Sequence, residues 1–307
     1  MPKLFSRRSR EDVETELSQS EKLDNLLRKL RRIEIVSKRL ASEIVSGQYR
    51  SVFRGQGIEF DEVREYAEGD DVRAIDWNVT ARSGKPYVKR FSEERERSLL
   101  FMLDVSASNL FGSQLSRLET TTEIAASLMF SAIKNNDKIG LLTFANGVKK
   151  FFPPKRGRNR ASMLVKEMLQ AVPTREPTDL NTALEFVDKT LKRRSIVLIL
   201  SDFYAPNLEE ALTYCVRKHE VIALSVSEPF EEKIPRVGFI NLRDPETGRE
   251  IELDAGSSAI RQAISRELRG KRTALVESLK KVGVTPLFIE NGADYVPVLK
   301  KFFRSRR

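Results

Sequence analysis

From Ser98 to the C-terminus, short apolar runs alternate with longer stretches of helical periodicity. Such alternation is typical of βαβ units, in which each helix crosses over a parallel sheet. It predicts strands at about 99–104, 138–144, 195–200, 220–226 and 284–289. It predicts helices at about 117–135, 159–171, 179–192, 208–218, 259–282 and 294–303. We therefore expect an α/β domain over residues 98–307, with a mostly parallel, Rossmann-like sheet flanked by helices.

The sequence before residue 98 predicts a different organisation. Residues 1–19 are polar and charged, and we expect them to be disordered. Apolar residues recur at helical spacing from Ser20 to Ser46, which predicts one long helix or two consecutive amphipathic helices. Alternating and aromatic segments between residues 50 and 98 predict a small β-rich unit. Residues 20–97 are thus expected to form an N-terminal helix followed by this β-rich unit.

Oxygen-bearing side chains occur at three places where ligands gather in open α/β sheets. Asp104, Ser106 and Ser108 follow the first apolar strand in an Asp-x-Ser-x-Ser arrangement. Thr178 precedes a predicted helix, and Asp202 follows the most apolar strand. Ligands in such sheets bind beyond the carboxyl ends of the strands, at the topological switch point. A site with hydroxyls and few carboxylates suits Mg²⁺ or Mn²⁺, which keeps positions open for waters or for a carboxylate of a partner.

Each of these residues also has an ordinary structural interpretation. Asp104 can cap the turn after its strand, and the two serines can be loop hydroxyls. Thr178 or Asp179 can be a helix N-cap, and Asp202 can have the same role. Because all of these residues occur together after the appropriate strands, the sequence favours the ion site.

The composition excludes several other kinds of site. A lone cysteine, Cys215, excludes an internal disulfide and a thiolate metal cluster. The single histidine, His219, leaves imidazole catalysis to one residue. The net charge of +10 arises from 54 basic and 44 acidic residues, which indicates a surface of mixed charge. The basic clusters are not interleaved with aromatic residues, so the sequence disfavours nucleic-acid binding.

The hydropathy of the chain predicts no membrane span. No apolar run approaches the roughly 20 residues that a membrane helix needs, and the basic, polar segment Met1–Arg10 is not followed by an apolar one. These features predict a cytoplasmic location.

Two sets of motifs carry a resemblance to known families. The order Asp-x-Ser-x-Ser, then Thr, then Ser-Asp after an apolar strand resembles the metal-ion-dependent adhesion site of von Willebrand factor A domains. Upstream, the segments Arg54–Phe60, Val63–Tyr66, Gly69–Asn78 and Thr80–Arg82 resemble the defining segment of the bacterial family called domain of unknown function 58. The resemblance extends from about residue 20 to the C-terminus and includes the turn Asp244–Gly248, whose flanking segments predict a β-hairpin.

This resemblance implies a fold, a cofactor and a partner. It implies a von Willebrand A-like domain in which Asp104, Ser106, Ser108, Thr178 and Asp202 hold a divalent cation. The family is associated with AAA+ ATPases of the MoxR type, so the resemblance implies a chaperone-like or assembly role beside such an ATPase. Many members have N-terminal membrane spans, which this sequence lacks.

The block that contains Asp70, Asp71, Arg73 and Trp77 permits two interpretations. Paired charges, such as Asp71 with Arg73 and Asp76 with Arg82, can lock the β-rich unit against the A-like domain. Alternatively, the acidic pair and Trp77 form a face on which a partner docks. We favour the lock.

The function that the sequence favours is a non-enzymatic adaptor. Its bound Mg²⁺ would take a carboxylate from a client protein, and a MoxR-type ATPase would act beside it. A metal-dependent phosphoester hydrolase is the alternative, and it would require a base or a second metal near the first. A nucleic-acid-binding protein is a third and weaker alternative, and it would have to show binding that falls steeply with salt.

Overall fold

The computed structural model describes residues 28–35, 58–93, 97–106, 117–172, 174, 176, 178–204, 207–229, 234–243 and 250–305. The segment 1–19 that we predict to be disordered lies outside these residues. So do Ser108, most of the predicted helical region 20–46, and the predicted turn 244–248. Within the region 20–46, residues 28–35 are helical and form α1. Ile33 of α1 is buried against the main core.

Strands and helices alternate from residue 98 onward, as the sequence predicts. The strands are β1 Ile58–Glu65, β2 Tyr87–Glu93, β3 Ser98–Asp104, β4 Lys138–Ala145, β5 Gly147–Lys155, β6 Ile196–Leu200, β7 Glu220–Ser227, β8 Phe239–Arg243, β9 Glu250–Asp254 and β10 Thr285–Glu290. The remaining helices are α2 Trp77–Ser83, α3 Arg117–Lys134, α4 Arg160–Leu169, α5 Leu180–Thr190, α6 Leu208–Lys218, α7 Ser258–Lys281 and α8 Tyr295–Ser305. The hairpin predicted on either side of the turn 244–248 is formed by β8 and β9.

A six-stranded sheet forms the centre of the domain, in the order β5-β4-β3-β6-β7-β10. All neighbouring strands are parallel except β5, which is antiparallel to β4 at one edge. Counted along the chain, the order is 3-2-1-4-5-6, the doubly wound order whose switch point lies between β3 and β6. The predicted von Willebrand A-like, mostly parallel α/β fold is therefore confirmed.

The central strand β3 is apolar along its whole length because both faces of the sheet are covered. Leu99, Phe101 and Leu103 pack on one face in a core that includes residues of α3, α4 and α8. Leu100 and Met102 pack on the other face with residues of α5, α6 and α7. Burial on both faces gives continuous apolar runs instead of alternating ones. This is why β3 could be recognised from sequence alone.

The edge strand β5 was absent from the sequence prediction. Its sequence, GVKKFFPPK, contains three lysines and two prolines, and none of its residues is fully buried. Proline cannot donate to the hydrogen-bond ladder, so within sheets it is confined to edges, strand starts and bulges. The strand is identified by its pairing with β4 instead of by its own apolar pattern.

The close approach of β5 to Gly140 on β4 leads to a stability prediction. A Cβ atom on Gly140 would lie 2.7 Å from the Phe152 carbonyl oxygen and 2.8 Å from the Pro154 nitrogen, both backbone atoms. Gly140→Ala is therefore expected to lower the free energy of unfolding by about 1–3 kcal/mol in urea denaturation. The matched control is Gly270→Ala within α7, where the added Cβ meets no atom within 4 Å. The control should be neutral or stabilising, and equal midpoints for the two variants would contradict the prediction.

The β-rich unit before residue 98 is an antiparallel pair of strands joined through a short 3-10 turn and α2. Arg64 donates to both carboxylate oxygens of Asp70, at 2.8 and 2.6 Å. These hydrogen bonds, with one from the Ala67 amide, hold the pKa of Asp70 below its usual range. Arg64 lies on β1, so this contact joins the turn to the strand within the unit.

Neither of the two charge pairs predicted for this unit is a side-chain ion pair among the described contacts. Asp71 accepts a hydrogen bond from the backbone amide of Arg73. Asp76 accepts from the amides that begin α2, and its ion pair is with Lys89, at 3.5 Å, instead of Arg82. Both aspartates immediately precede a helical turn, where capping of the backbone amides determines the direction of the side chain.

We predict that the β-rich unit depends on the rest of the chain for its stability. A two-stranded pair is marginal in water, and a unit of this size buries too little apolar surface to offset chain entropy. The isolated fragment 1–97 should lack a cooperative thermal transition in circular dichroism, and the fragment 98–307 should expose apolar surface and aggregate. A sharp transition for the first fragment and a soluble, metal-binding second fragment would show two independent domains.

Among the described residues, no helix combines the length and the apolar content that crossing a membrane requires.

Candidate metal centre

The end of β3 places a carboxylate at the switch point of the sheet. The Asp104 side chain is fully buried, and its Oδ1 accepts a hydrogen bond from the Ser106 amide at 2.9 Å. The intervening Val105 amide donates to the Phe144 carbonyl at the end of β4, at 2.8 Å. The Val105 carbonyl accepts from the Thr174 amide at 2.9 Å. These contacts hold the backbone directly after Asp104 between β4 and the loop at Thr174, and so fix the direction in which Asp104 points.

The loop before α5 brings a hydroxyl to the same carboxylate. The Asp179 amide donates to the Ala145 carbonyl at 2.8 Å, which joins this loop to the end of β4. The Thr178 hydroxyl lies 3.3 Å from Oδ2 of Asp104 and donates to it. Asp179 instead caps α5, where its carboxylate accepts from the amide and the hydroxyl of Thr182. Thr178 therefore contacts the candidate site, and Asp179 is the N-cap of the helix.

The loop after β6 supplies a second hydroxyl and a second carboxylate. The Ser201 hydroxyl donates to Oδ2 of Asp104 at 2.7 Å and itself accepts from the Phe203 amide at 3.1 Å. Asp202 is buried and accepts from the Tyr204 amide at 3.2 Å. Phe203 has a φ of +61°, a left-handed conformation that is an outlier for a bulky residue. The buried Phe203 ring anchors this turn in the core, and the turn brings Ser201 to Asp104.

The electrostatics of the site favour an added positive charge. Burial and, after it, the negative charge of Asp202 raise the pKa of Asp104 to about 6, although hydrogen bonds from Ser106 and Ser201 oppose the shift. Two carboxylates thus share one buried site, and the charge of Asp202 disfavours the ionised form of Asp104. A divalent cation bound between them would remove this repulsion.

The donor set of the site consists of oxygen atoms. Among the residues that the structure describes, no group of three or more His, Cys, Asp or Glu side chains could hold a metal. The candidate centre instead combines two carboxylates with the hydroxyls of Ser106, Thr178 and Ser201. Such a set suits a hard cation that retains several waters, and it does not suit a thiolate or imidazole site. The arrangement can therefore hold a cation and leave positions for an incoming oxygen ligand.

The other candidate residues lie elsewhere. His219 directly precedes β7 and accepts from the Ser195 amide, which directly precedes β6. Both therefore lie at the amino ends of the parallel strands, whereas Asp104 lies at a carboxyl end. Cys215 is buried within α6, and burial raises the pKa of its thiol to about 12, which keeps it protonated. The four residues considered for partner docking, Asp70, Asp71, Arg73 and Trp77, belong to the β-rich unit. Trp77 is 68% exposed there, and its role in docking stays a prediction.

One contributor to the site is absent from the set predicted from sequence. Ser201 donates a 2.7 Å hydrogen bond to Asp104, yet the predicted set includes only Asp202 from this loop. The signal was present, because Ser201 directly precedes Asp202 at the end of an apolar strand. Successive residues point to opposite sides in a strand, which disfavours choosing both, but the strand ends at Leu200 and the turn frees Ser201 from that alternation.

A family model described as "Protein of unknown function DUF58" matches residues 62–274, more than half of the chain. The chain belongs to the DUF58 family. The match spans both the β-rich unit and most of the α/β domain. An uncharacterized protein of Mycobacterium tuberculosis is 28% identical to this DUF58 protein over 284 residues, which are 91% of this chain and 89% of that protein. An uncharacterized protein of Paracoccus denitrificans, named for its place in the moxR 3' region, is 34% identical over 101 residues, which are 32% of this chain and 94% of that protein.

Solved structures show more distant similarity. An aerotolerance-related membrane protein of Bacteroides fragilis has 18% identity and a TM-score of 0.44, covering 68% of this chain and 98% of its own. The VWA domain of SpRpn10 has 10% identity and a TM-score of 0.38, covering 66% and 93%. Proximal thread matrix protein 1 of the mussel byssus, solved with a zinc-occupied MIDAS motif, has 14% identity and a TM-score of 0.31, covering 43% and 38%.

The cytoplasmic location predicted from sequence is wrong. The similar Bacteroides fragilis protein is named as a membrane protein, and a Vibrio fischeri protein is named as membrane-spanning. The prediction used the lack of a long apolar run in the chain, but membrane association does not depend on such a run alone, because surface helices and anchors also provide it.

Proposed function

We propose that this DUF58 protein is a non-enzymatic adaptor that binds a carboxylate of a partner protein through a divalent cation, with Mg²⁺ the expected ion. The observation that carries the proposal is the convergence on Asp104. Its buried carboxylate meets the hydroxyls of Ser106, Thr178 and Ser201 and the charge of Asp202 at the switch point of the sheet. Open α/β sheets bind their ligands at this place.

The roles of the individual residues follow from these contacts. Asp104 and Asp202 supply the negative charge that attracts the ion, and Ser106 and Thr178 supply neutral oxygens, with Ser108 of the same motif as a further ligand. Ser201 orients Asp104 through its 2.7 Å hydrogen bond. When bound, the cation supplies an electrophilic position for a carboxylate oxygen.

The proposed partner is an AAA+ ATPase of the MoxR type, and the client is a protein that presents an aspartate or glutamate. Membership of the DUF58 family supports this proposal, as does the relative named for its position in the moxR 3' region. In this scheme the α/β domain holds the client while the ATPase remodels it.

Biolayer interferometry tests the proposal, with a purified MoxR-type ATPase on one sensor and a glutamate-containing peptide, as a surrogate for the client, on another. The ATPase should bind this DUF58 protein. Binding to the peptide is expected in Mg²⁺ and should disappear in EDTA and in the Asp104→Asn variant. Asp179→Asn is the matched control, because it removes a neighbouring carboxylate while asparagine keeps the helix cap. Binding that is indifferent to the cation would contradict the adaptor.

The same variants distinguish the adaptor from a hydrolase. A screen with phosphodiester, phosphomonoester and peptide substrates in Mn²⁺ should show no turnover by the wild-type protein. Turnover that disappears in Asp104→Asn and persists in Asp179→Asn would replace the adaptor with the metal-dependent hydrolase.

A further inference from the structure

A recess lies directly beside the candidate metal centre, and Asp202 lines it. We call it the basic recess. Tyr204 after β6, Ser225 and Ser227 at the end of β7, and Phe288 on β10 form its sheet side. Helix α7 covers the opposite side. Because Asp202 belongs to both sites, a ligand at the metal centre can continue into the recess.

The basic recess is lined by four cationic side chains, Arg117, Arg269, Lys271 and Arg272. Three of them come from α7, and the Arg272 guanidinium lies 4.9 Å above the Phe288 ring centroid, a cation-π contact. Lys271 pairs with Glu267 at 2.8 Å, but both side chains are more than half exposed, so this pair is weak. Asp202 is the one acidic residue among the described residues that line the recess.

The fourth cation is held in place from inside the fold. Arg117, at the start of α3, is buried, and its Nε lies 3.9 Å from Oε1 of the fully buried Glu228. The same Glu228 oxygen accepts from the side-chain amide (Nδ2) of Asn291 at 2.6 Å. A buried charge pair with a further hydrogen bond restricts the side chains that form it. Arg117 is therefore a fixed wall of the recess.

We propose that the basic recess binds acidic side chains that adjoin the metal-binding carboxylate of the same partner segment. This inference rests on the proposed function, because it assigns the chemistry of the residues around the captured carboxylate. Charge complementarity selects an acidic segment, and the side chains of Leu268 and Leu275 offer apolar contact to its methylene stems. The proposed occupant is a continuation of the segment that the cation captures, because Asp202 lines both the recess and the metal centre.

Fluorescence anisotropy with a fluorescein-labelled oligoglutamate peptide tests this proposal at low ionic strength, where screening is weak. The wild-type protein should bind the peptide in Mg²⁺. The double substitution Arg269→Ser and Lys271→Ser removes two exposed charges of α7 and should weaken binding about tenfold, since each exposed charge pair contributes a few-fold in affinity. Affinity for Mg²⁺, measured by calorimetry, should stay unchanged in this variant.

The matched control is Arg193→Ser combined with Lys192→Ser. These two exposed cations lie just before β6, at the amino end of the strand and away from the recess. This control should bind the peptide as the wild type does. Absence of wild-type binding, equal weakening in the control, or displacement of the peptide by inorganic phosphate at lower concentration than by free oligoglutamate would each overturn the proposal. Peptide binding that needs Arg269 and Lys271 but neither Mg²⁺ nor Asp104 would support the recess and contradict the proposed function.

Discussion

Asp104→Asn is expected to lower the affinity of the protein for Mg²⁺ and Mn²⁺ by at least about 100-fold. Loss of a residue that only hydrogen-bonds to a metal ligand already lowers metal affinity by about 10- to 100-fold. Asp104 is expected to be a ligand itself, and the hydroxyls of the site converge on its carboxylate. Isothermal titration calorimetry should show one ion per chain for the wild type. The variant should show no measurable heat of binding.

The control for this titration is Asp179→Asn, which changes the same functional group one residue from Thr178. The Asp179 carboxylate caps α5 and has no described contact with Asp104. The affinity of the Asp179→Asn variant for the ion should therefore remain within about twofold of the wild type. Equal binding by the wild type and the Asp104 variant, or no binding by either, would remove the basis of the ion site.

The same substitution is expected to stabilise the metal-free protein. An unfolded aspartate has a pKa near 3.9, whereas burial and Asp202 raise the pKa of folded Asp104 to about 6. Because the folded state binds its proton more tightly, the ionised Asp104 destabilises the fold above pH 6. At pH 8 in EDTA, Asp104→Asn should therefore unfold with a free energy higher by up to about 3 kcal/mol.

The pH dependence and the metal dependence of this difference check its cause. The gain in the free energy of unfolding should shrink as the pH falls from about 6 toward 4, where Asp104 takes up a proton in the folded state. Saturating Mg²⁺ should reverse the order of stability, because only the wild type gains binding free energy. Denaturant unfolding at several pH values measures both effects. A variant that is less stable than the wild type in EDTA at pH 8 would contradict this account.

The parts of the fold that were predicted from sequence are those with a strong local pattern. The strands β3, β6 and β7 are buried on both faces, so their apolar runs are continuous and their ends are sharp. The edge strand β5 lacks this pattern, because its pairing with β4 and not its own burial holds it in place. Edge strands are thus specified by their neighbours more than by their own residues.

The site was predictable to the extent that its residues follow strands. Asp104, Ser106 and Asp202 come together because the carboxyl ends of parallel strands meet at one end of the sheet. Thr178 joins them because its loop is hydrogen-bonded to the end of β4. Two features required coordinates. The left-handed turn at Phe203 brings Ser201 to Asp104, and the recess between α7 and the sheet places Arg117 beside three cations of α7. Local sequence patterns do not specify which loops of different strands face the same helix.

The charge pairs of the β-rich unit show the same limit. Opposite charges at short spacing suggested Asp76 with Arg82, but Asp76 caps α2 and pairs with Lys89 on β2. The backbone amides of a helix start compete for a preceding aspartate, and sequence spacing alone does not include this competition.

The measurement that tests the metal centre most directly is anomalous X-ray diffraction from crystals of the full-length protein grown with Mn²⁺. We predict one manganese peak per chain, bounded by the oxygens of Asp104, Ser106, Thr178 and Asp202 and absent from crystals of Asp104→Asn. A peak coordinated by other residues, or no peak at saturating Mn²⁺, would contradict the account.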